Sequence, residues 1–422
     1  MPMPPRPISR RRFFFQSGAV GAGLAVGGRL AAARATPPSE MVRVAMIGVG
    51  GQGMSNFKNL AKNVVALCDV DATHLAGAAK AFEVVRGKAP ETASDFRRLL
   101  DRKDIDAVVV STPDHWHALP TVMACQAGKD VYCEKPLSLT IAEGKAMVAA
   151  ARKHGRIVQT GSQQRSDDRF RLACELVRSG ALGRLKEIQV GLPGVNFKGP
   201  AVADTPPPTG LDYDFWLGPA PAKPYNPKHV HYDFRFFWDY SGGQLTNWGA
   251  HHLDIAQWAL GMDDSGPVSI AGKATYHPER WYEVPESFDL TYTYANGLPL
   301  RCGKAYRGGV TFVGEAGKLF VDRGKIEGTP AELLKAKVSE HLYASKNHHA
   351  NWLDSIKTRK PSICDVAIGH RSATVCHLGN IALRTGRAIK WDPAREEVLD
   401  DSEAAAMLSR TYRSPWSLPE PG

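Results

Sequence analysis

The sequence lacks a long hydrophobic run, a Cys-x-x-Cys pair and an internal repeat. No apolar stretch approaches the roughly 20 residues that a bilayer-spanning helix needs, so stable membrane insertion is not expected. The seven cysteines are scattered and odd in number, which argues against a framework of disulfides. With 43% apolar and 23% charged residues, the chain has the composition of a soluble globular protein, and 422 residues are enough for two domains.

Excess positive charge is also missing outside the N-terminus, although the formal net charge is +10. Residues 1–35 hold six arginines and no acidic residue, and the remaining chain has 47 basic residues against 43 acidic ones. A nearly neutral body does not supply the basic patch on which nucleic-acid binding depends. Nucleic acid is therefore not an expected partner.

Residues 1–35 have the order of a twin-arginine export signal. Paired arginines and bulky apolar side chains in residues 9–14 precede a Gly/Ala stretch over residues 17–26, and residues 33–35 form a small-x-small cleavage site. A disordered basic tail is the alternative. The pattern predicts recognition by the twin-arginine (Tat) export machinery and a periplasmic or extracytoplasmic location, and the scattered cysteines fit a protein that folds before export.

Residues 41–160 alternate short β-branched segments with helical ones, which predicts a doubly wound parallel sheet, the Rossmann fold. Helices are expected near residues 55–62 and over residues 140–154, where Thr140 and Glu143 form a capping box. The predicted strands are residues 42–47, 64–68, 107–111, 131–133 and 157–160.

Residues 161–390 predict an α+β substrate and oligomerisation domain with a large, mostly antiparallel sheet. Its long segment of residues 193–243 is rich in Pro, Gly and aromatics, which is typical of a functional loop. Residues 391–422 are expected to be a tail that packs across both domains. The predicted strands are residues 185–190, 268–275, 289–294 and 310–315, and the predicted helices are residues 348–358, 367–385 and 402–410.

A G-x-G-x-x-G motif follows the first predicted strand and indicates a dinucleotide site. Glycines allow the backbone to turn sharply beside a pyrophosphate, and the next helix points its N–H groups at that phosphate. Asp69, at the end of the second strand, is placed to accept hydrogen bonds from the adenosine ribose. This carboxylate would repel a 2′-phosphate and no arginine follows it, so NAD is favoured over NADP. The predicted contacts are Gly48, Gly50, Gly51, Gln52, Gly53 and Asp69.

Two further strand ends carry Ser111-Thr112-Pro113-Asp114-His115-Trp116-His117 and Cys133-Glu134-Lys135-Pro136. After a glycine motif, this arrangement resembles the Gfo/Idh/MocA family of sugar and inositol oxidoreductases, over essentially the whole chain beyond the export signal. The resemblance implies an oligomer, a dimer or a tetramer. It also implies cofactor contacts from Thr112, Pro113, His115, His117, Glu134 and Lys135, with Trp116 near the nicotinamide.

Lys135 lies where ligands bind in parallel sheets, just past the carboxyl end of a strand. Its ammonium can hold a substrate hydroxyl and stabilise alkoxide character as hydride leaves, and desolvation would lower its pKa. On a helix over residues 242–254, Asn247 and His251 would share a face. His251 is the candidate general base. Asn247 stands where the family pattern has an Asp, so it can orient a hydroxyl but cannot take a proton.

Five residues are predicted to contact substrate, but each also has a structural interpretation. The amide and guanidinium of Gln163 and Arg165 could bind sugar hydroxyls, and aromatic side chains could stack on pyranose C–H faces or belong to the core. The paired histidines show no metal-ligand spacing, so no metal is expected. The predicted substrate contacts are Gln163, Arg165, Trp238, Tyr240 and His252.

These features predict an NAD-dependent oxidoreductase that oxidises a hydroxyl of a sugar, glycoside or polyol. Free NAD is scarce outside the cytoplasm, so an exported enzyme is expected to keep its NAD bound and to recycle it. An NAD-dependent glycosidase, working by transient C3 oxidation, elimination and re-reduction, is the alternative. A non-catalytic NAD-binding sensor is a third interpretation.

Overall fold

The structure, a computed structural model, describes residues 41–419; the predicted export signal lies outside these residues. The first part of the chain forms a six-stranded sheet from β1 (Val44–Ile47), β2 (Val64–Cys68), β3 (Glu91–Ala93), β4 (Ala107–Val110), β5 (Asp130–Cys133) and β6 (Val158–Thr160). Neighbouring strands are all parallel, in the spatial order β3-β2-β1-β4-β5-β6. The connections reverse direction between β1 and β4, which is where such sheets open a ligand crevice.

Helices cover both faces of this sheet and confirm the predicted Rossmann fold. The Thr140 hydroxyl accepts a hydrogen bond from the N–H of Glu143, and the Glu143 carboxylate accepts one from the N–H of Thr140, so the predicted capping box is present. The first helix begins inside the glycine motif, four residues before the predicted start at Ser55. The helices are α1 (Gly51–Leu60), α2 (Ala72–Arg86), α3 (Arg97–Leu100), α4 (Ala118–Gln126) and α5 (Ile141–Lys153).

The second part of the chain forms a nine-stranded sheet with helices packed on it. Its helices are α6 (Asp168–Arg178), α7 (Tyr213–Leu217), α8 (Gly243–Asn247), α9 (Gly249–Leu260), α10 (His348–Thr358), α11 (Val366–Thr385) and α12 (Ser402–Ala406). Its strands are β7 (Leu185–Gly191), β8 (Ser269–Thr275), β9 (Ser287–Thr293), β10 (Pro299–Gly303), β11 (Gly309–Gly314), β12 (Gly317–Val321), β13 (Ile326–Thr329), β14 (Ile389–Asp392) and β15 (Glu397–Leu399).

The nine strands follow the order β13-β12-β11-β7-β10-β9-β8-β14-β15. All neighbours are antiparallel except β7 and β10, so the predicted, mostly antiparallel sheet is confirmed. The buried faces of α9 and α11 cover one side of this sheet and complete its apolar core. None of the helices within residues 41–419 is both long and apolar enough to cross a bilayer.

The predicted C-terminal tail needs a correction, because its first residues belong to the second sheet. Trp391 is buried in β14, and its N–H donates to the carbonyl of Val268. Beyond β15 the chain returns to the Rossmann domain, where Arg410 and Tyr412 both bind the carboxylate of Glu143 at 2.7 Å. The sequence did not reveal this strand because its pattern is short. Only the alternating side chains of Ile389 and Trp391 face the core.

Candidate active site

The glycine loop after β1, the ends of β4 and β5, the α8–α9 junction and the β12–β13 turn all face a cavity of about 1060 Å³. Ligand pockets usually measure roughly 300–1,000 Å³, so this one lies at the top of that range. It has room for a dinucleotide together with a second small molecule. The carboxyl ends of the parallel strands form its floor.

The glycine loop fits the backbone approach that a pyrophosphate requires. Gly48 has a φ of +82°, and a Cβ there would lie 2.8 Å from the backbone of Ser111. A Cβ on Gly53 would lie 2.2 Å from the carbonyl oxygen of Gly48, so that glycine supports the turn from behind. Because α1 starts at Gly51, its free N–H groups are available to an anion at this point.

Asp69 fixes the geometry of the same loop. One of its carboxylate oxygens accepts a hydrogen bond from the N–H of Val49 at 2.8 Å, and the other accepts one from the N–H of Asp71 at 2.9 Å. The carboxylate also lines the cavity, beside the first turn of α2. It is therefore placed at the end of the cavity where the adenosine of a bound dinucleotide would lie.

The sequence analysis missed a cluster at this adenosine end. Asp71 caps α2 through the N–H groups of Thr73 and His74, and its Oδ2 lies 3.3 Å from Nε2 of His231. The rings of His74 and His231 are 4.6 Å apart. His231 comes from the long aromatic loop, far away in sequence, so no spacing pattern could have revealed the contact. This loop therefore reaches the Rossmann domain beside the cofactor end.

Lys135 lies at the opposite end of the cavity. Its ammonium donates to both the backbone oxygen and the side-chain oxygen of Asn247, each at 2.9 Å. Burial lowers the pKa of Lys135 to about 8. An ammonium has three N–H donors, and two are used here, so one donor remains for a ligand. The amide of Asn247 holds Lys135 by accepting a hydrogen bond, a role that needs no proton transfer.

Asn247 and His251 both line the cavity, but they do not lie on one continuous helix. The helix breaks at Trp248, where the N–H of His251 donates to the carbonyl of Trp248 three residues back. The predicted single helix is thus corrected to the pair α8 and α9. Despite this break, the side chains of Asn247 and His251 face the same cavity, as their separation by four residues predicted.

His251 is buried, and its Nδ1 has no hydrogen-bond partner within residues 41–419. Burial, followed by the positive charge of Lys135, holds the pKa of His251 well below its usual value. The imidazole is therefore neutral at physiological pH. Because His251 also lines the cavity, its neutral imidazole can accept a proton from a substrate hydroxyl.

Glu134 is buried at the cavity wall and serves as a hydrogen-bond acceptor for three amides. Its Oε1 accepts from Asn56 at 2.9 Å, from Gln163 at 3.1 Å and from Gln52 at 3.3 Å. These contacts fix Gln52 and Gln163 at the cavity surface. Asn56 was missed by sequence reasoning, although it lies one helical turn beyond Gly53 and faces the same way.

His117 connects the segments that follow β4 and β5. Its Nδ1 lies 2.7 Å from the carbonyl oxygen of Pro136, and its Nε2 lies 2.9 Å from that of Thr112. Two carbonyl acceptors require two N–H donors, so the ring is an imidazolium. Burial opposes this charge, but Cys133, Asp114 and the carbonyl of Pro136 outweigh it and raise the pKa to about 10. His117 thereby anchors the backbone next to Lys135.

The structure corrects the prediction for Arg165. The side chain is only 1% exposed, and its guanidinium binds Asp254 at 2.8 Å and Asp263 at 2.7 Å. It also lies 5.1 Å from the ring of Trp258. Its donors are directed at these carboxylates and not at the cavity, so Arg165 joins helices behind the site.

Four further predicted contacts also lie outside the cavity wall, and for Trp238 and Tyr240 the reason is that the aromatic loop packs into a core of its own. His115 and Tyr240 are buried against each other with ring centroids 5.2 Å apart. Trp238 lies 4.9 Å from the guanidinium of Arg384. His252 is bound through Nδ1 to the carbonyl of Gly191 at 3.1 Å. Trp238 and Tyr240 therefore stabilise the fold, whereas other aromatic residues of this loop, Phe215, Trp216, Tyr232 and Phe234, line the cavity.

The predicted residues that do line the cavity come together from both domains. They are Gly48, Gly50, Gly51, Gln52, Asp69, Thr112, Pro113, His117, Glu134, Lys135, Gln163, Asn247 and His251. Three arginines that sequence reasoning did not single out also line it, namely Arg169, Arg235 and Arg323.

Comparison with known families accounts for this arrangement. Residues 42–162 match the model of the oxidoreductase family's NAD-binding Rossmann fold, and residues 173–418 match that of its C-terminal alpha/beta domain. The chain belongs to the Gfo/Idh/MocA oxidoreductase family. It is therefore an enzyme, an NAD-binding oxidoreductase, as the sequence predicted.

Individual relatives agree with this assignment. The uncharacterized oxidoreductase YrbE of Bacillus subtilis is 23% identical over 83% of this chain and 92% of its own length. The alpha-N-acetylgalactosaminidase of Shewanella oneidensis is 31% identical, but over 42% of this chain and 44% of its own length. Among solved structures, aldose-aldose oxidoreductase from Caulobacter crescentus is 22% identical with a TM-score of 0.61, covering 83% of this chain and 99% of that one. The structural likeness shows the fold.

Proposed function

We propose that this enzyme oxidises a hydroxyl of a sugar, glycoside or polyol and that NAD is its hydride acceptor. The observation that carries the proposal is the pairing of Lys135 with Asn247 beside a neutral His251, at the end of the cavity away from Asp69. NAD is preferred to NADP because the carboxylate of Asp69 faces the position that a 2′-phosphate would occupy. When bound, the nicotinamide supplies the site that receives the hydride.

The chain's own residues position the hydroxyl and move its proton. The remaining N–H of the Lys135 ammonium donates to the hydroxyl oxygen and stabilises the negative charge that develops on it. His251, which lines the cavity, takes the hydroxyl proton on its neutral imidazole. Asn247 keeps the Lys135 ammonium in place, and His117 holds the backbone of the adjoining segment.

The glycosidase reaction is the second candidate, favoured by the 31% identity to an alpha-N-acetylgalactosaminidase. In that reaction a ketone at C3 acidifies the neighbouring C2 proton, the aglycone is eliminated, water adds and the ketone is reduced again. His251 is then the group that removes the C2 proton. Both reactions start with the same oxidation, so they share the Lys135 end of the cavity.

We also propose that the protein is exported by the twin-arginine route and that it keeps its NAD bound. Residues 1–35 have the order of such a signal, and an exported enzyme must regenerate its cofactor in place. The contact between the aromatic loop and α2 at Asp71 supports retention, since it lies over the adenosine end of the cavity. A homo-oligomer is proposed from family resemblance.

The test is an absorbance scan of purified, undialysed protein before and after addition of a glycoside panel, with product analysis alongside. Reduced-nicotinamide absorbance without aglycone release supports the oxidoreductase. Aglycone release without net reduction supports the glycosidase. Lys145→Met is the control variant. The proposed chemistry is wrong if neither reduction nor aglycone release occurs, or if Lys135→Met reacts like the wild type.

A further inference from the structure

The arginines of the cavity differ in their partners. Arg169 is paired with Asp167 at 2.6 Å. Within residues 41–419, neither Arg235 nor Arg323 has a carboxylate within ion-pair distance. Arg323 is exposed and Arg235 is half-buried, so both present unpaired N–H donors at the wall of the same cavity, where a ligand can accept them.

The guanidinium of Arg323 is held in position by neutral groups, which do not balance its positive charge. Arg323 lies in the turn between β12 and β13, where Asp322 accepts hydrogen bonds from the N–H groups of Gly324 and Lys325 at 2.7 and 2.8 Å. Its guanidinium stacks 4.6 Å from the ring of Trp248, and Nε donates to Gln164 at 3.3 Å. Four of its five N–H donors have no partner within residues 41–419.

Arg235 approaches from the aromatic loop. Its guanidinium lies 4.2 Å from the ring of Tyr232 and 4.9 Å from that of Phe234, and one N–H donates to the carbonyl of Tyr232. Burial has the largest effect on the pKa of Lys135 and lowers it; the charges of Glu134 and Asp114 oppose this, and those of Arg235 and Arg323 lower the pKa further. The two arginines therefore surround the substrate end of the cavity and not the pyrophosphate end.

The acidic groups at this end do not balance these cations. Glu134 is bound by three amides. Asp114 accepts a hydrogen bond from Ser241, and burial raises its pKa, which disfavours its charged form. Against the single charge of Glu134 stand Lys135 and the two arginines, while His117 adds no net cation because, although burial opposes its charge, its pKa is raised by the charge of Asp114. The dinucleotide's own negative charge lies at the glycine loop, so the substrate end keeps an excess of positive charge.

We propose that Arg235 and Arg323 form an oxyanion subsite, and that the substrate is a sugar carrying a carboxylate or a phosphate group. Planar guanidinium groups present pairs of N–H donors that match both oxyanions. The inference rests on the proposed oxidation of a sugar hydroxyl, and it adds the class of sugar. The oxyanion binds between the arginines, while the hydroxyl to be oxidised lies at Lys135.

The test compares matched ligands by calorimetry and by reduction of bound NAD. Glucose and galactose are each used as the free sugar, as the uronate and as the 6-phosphate, with wild type, Arg235→Gln and Arg323→Gln. Arg169→Gln is the control, because Arg169 lines the same cavity but already has a partner. Thermal unfolding verifies that each variant is folded.

The subsite predicts that at least one anionic sugar binds tenfold or more tightly than its neutral counterpart. Each arginine variant should lose about ten- to hundredfold in affinity for that anion, the usual loss for a hydrogen bond to a charged group, and change the neutral sugar little. Uronate or phosphate preference identifies the oxyanion. No preference for any anionic sugar, or equal losses in Arg169→Gln, would overturn the proposal. Anion binding without NAD reduction would instead refute the proposed oxidation and leave the subsite standing.

Discussion

The two ends of the cavity are built in different ways. The cofactor end consists of a glycine loop, a helix N-terminus and a carboxylate within about one β-α-β unit, and its key feature is the absence of side chains at Gly48 and Gly53. The substrate end is assembled from charged and polar side chains on elements that lie far apart in the sequence, among them Lys135, Asn247 and Arg323. The cofactor end recognises its ligand mainly through backbone groups, and the substrate end does so through side chains.

This difference has a consequence for variation. The glycine loop tolerates few substitutions at Gly48 and Gly53, because a Cβ at either position meets main-chain atoms. Side chains at the substrate end can be exchanged one at a time without altering the fold. A family can therefore keep one cofactor and change its substrates, and substitutions in this chain should separate the two properties.

The largest expected effect comes from Lys135→Met. Loss of the ammonium should lower kcat for sugar oxidation by about 10²–10³-fold, the range for removing one donor that stabilises a developing negative charge. Affinity for NAD should change little, because the glycine loop is untouched. Stopped-flow reduction of bound NAD and NAD titration measure the two quantities. Equal losses of both would contradict the separation of the two ends.

Arg165→Met is expected to affect stability and not substrate binding. Removing one partner of a buried ion pair typically costs about 3–5 kcal/mol, because Asp254 would remain buried without its guanidinium. Arg169→Met removes an exposed pair, worth about 0–1 kcal/mol. Denaturant unfolding of both variants checks this. A raised KM with unchanged stability in Arg165→Met would restore the original prediction that Arg165 contacts substrate.

Gly53→Ala should weaken NAD binding by roughly tenfold or more, since overpacking of this kind costs about 1–3 kcal/mol. The new Cβ would meet the carbonyl oxygen of Gly48 and displace the loop. Gly77→Ala is the matched control: it lies inside α2 with nothing within 4 Å, and alanine there should be neutral or slightly stabilising. Fluorescence titration with NAD gives both affinities, and equal values would refute the role of the turn.

The smallest effect is a shift in pH dependence. If the ammonium form of Lys135 is active, kcat/KM falls as pH rises through about 8, where that form is lost. Asn247→Asp places a carboxylate against the ammonium and should move the fall upward by about one pH unit or more, whereas Asn247→Leu should not. A wild-type rate that increases through pH 8 would show that the neutral amine acts instead.

Much of the fold could be predicted because its signals are local. The Rossmann strands alternate with helices, and Val64–Cys68 was predicted at its observed bounds. In the second sheet, four strands were predicted, but strands such as β10 and β12 were not, because they are short segments whose partners lie elsewhere in the chain. The last two strands were taken for a tail for the same reason.

The residues of the candidate site that could be predicted also have local signals in the sequence. Gly48, Asp69 and Lys135 stand at strand ends, where topology alone brings them together. The pairing of Arg165 with Asp254 and Asp263 depends on helix packing, and no spacing reveals it. Arg323 reaches the cavity only because a β-hairpin turns toward it. Contacts between distant elements are decided by tertiary structure and were therefore missed.

The central claim is that a sugar hydroxyl is oxidised at Lys135 by hydride transfer to bound NAD. The most direct measurement mixes the protein with a sugar deuterated at its ring carbons and analyses the extracted cofactor by mass spectrometry. We expect deuterium on the nicotinamide in the wild type and about 10²–10³-fold slower transfer in Lys135→Met. Consumption of the sugar without deuterium on the cofactor would contradict it.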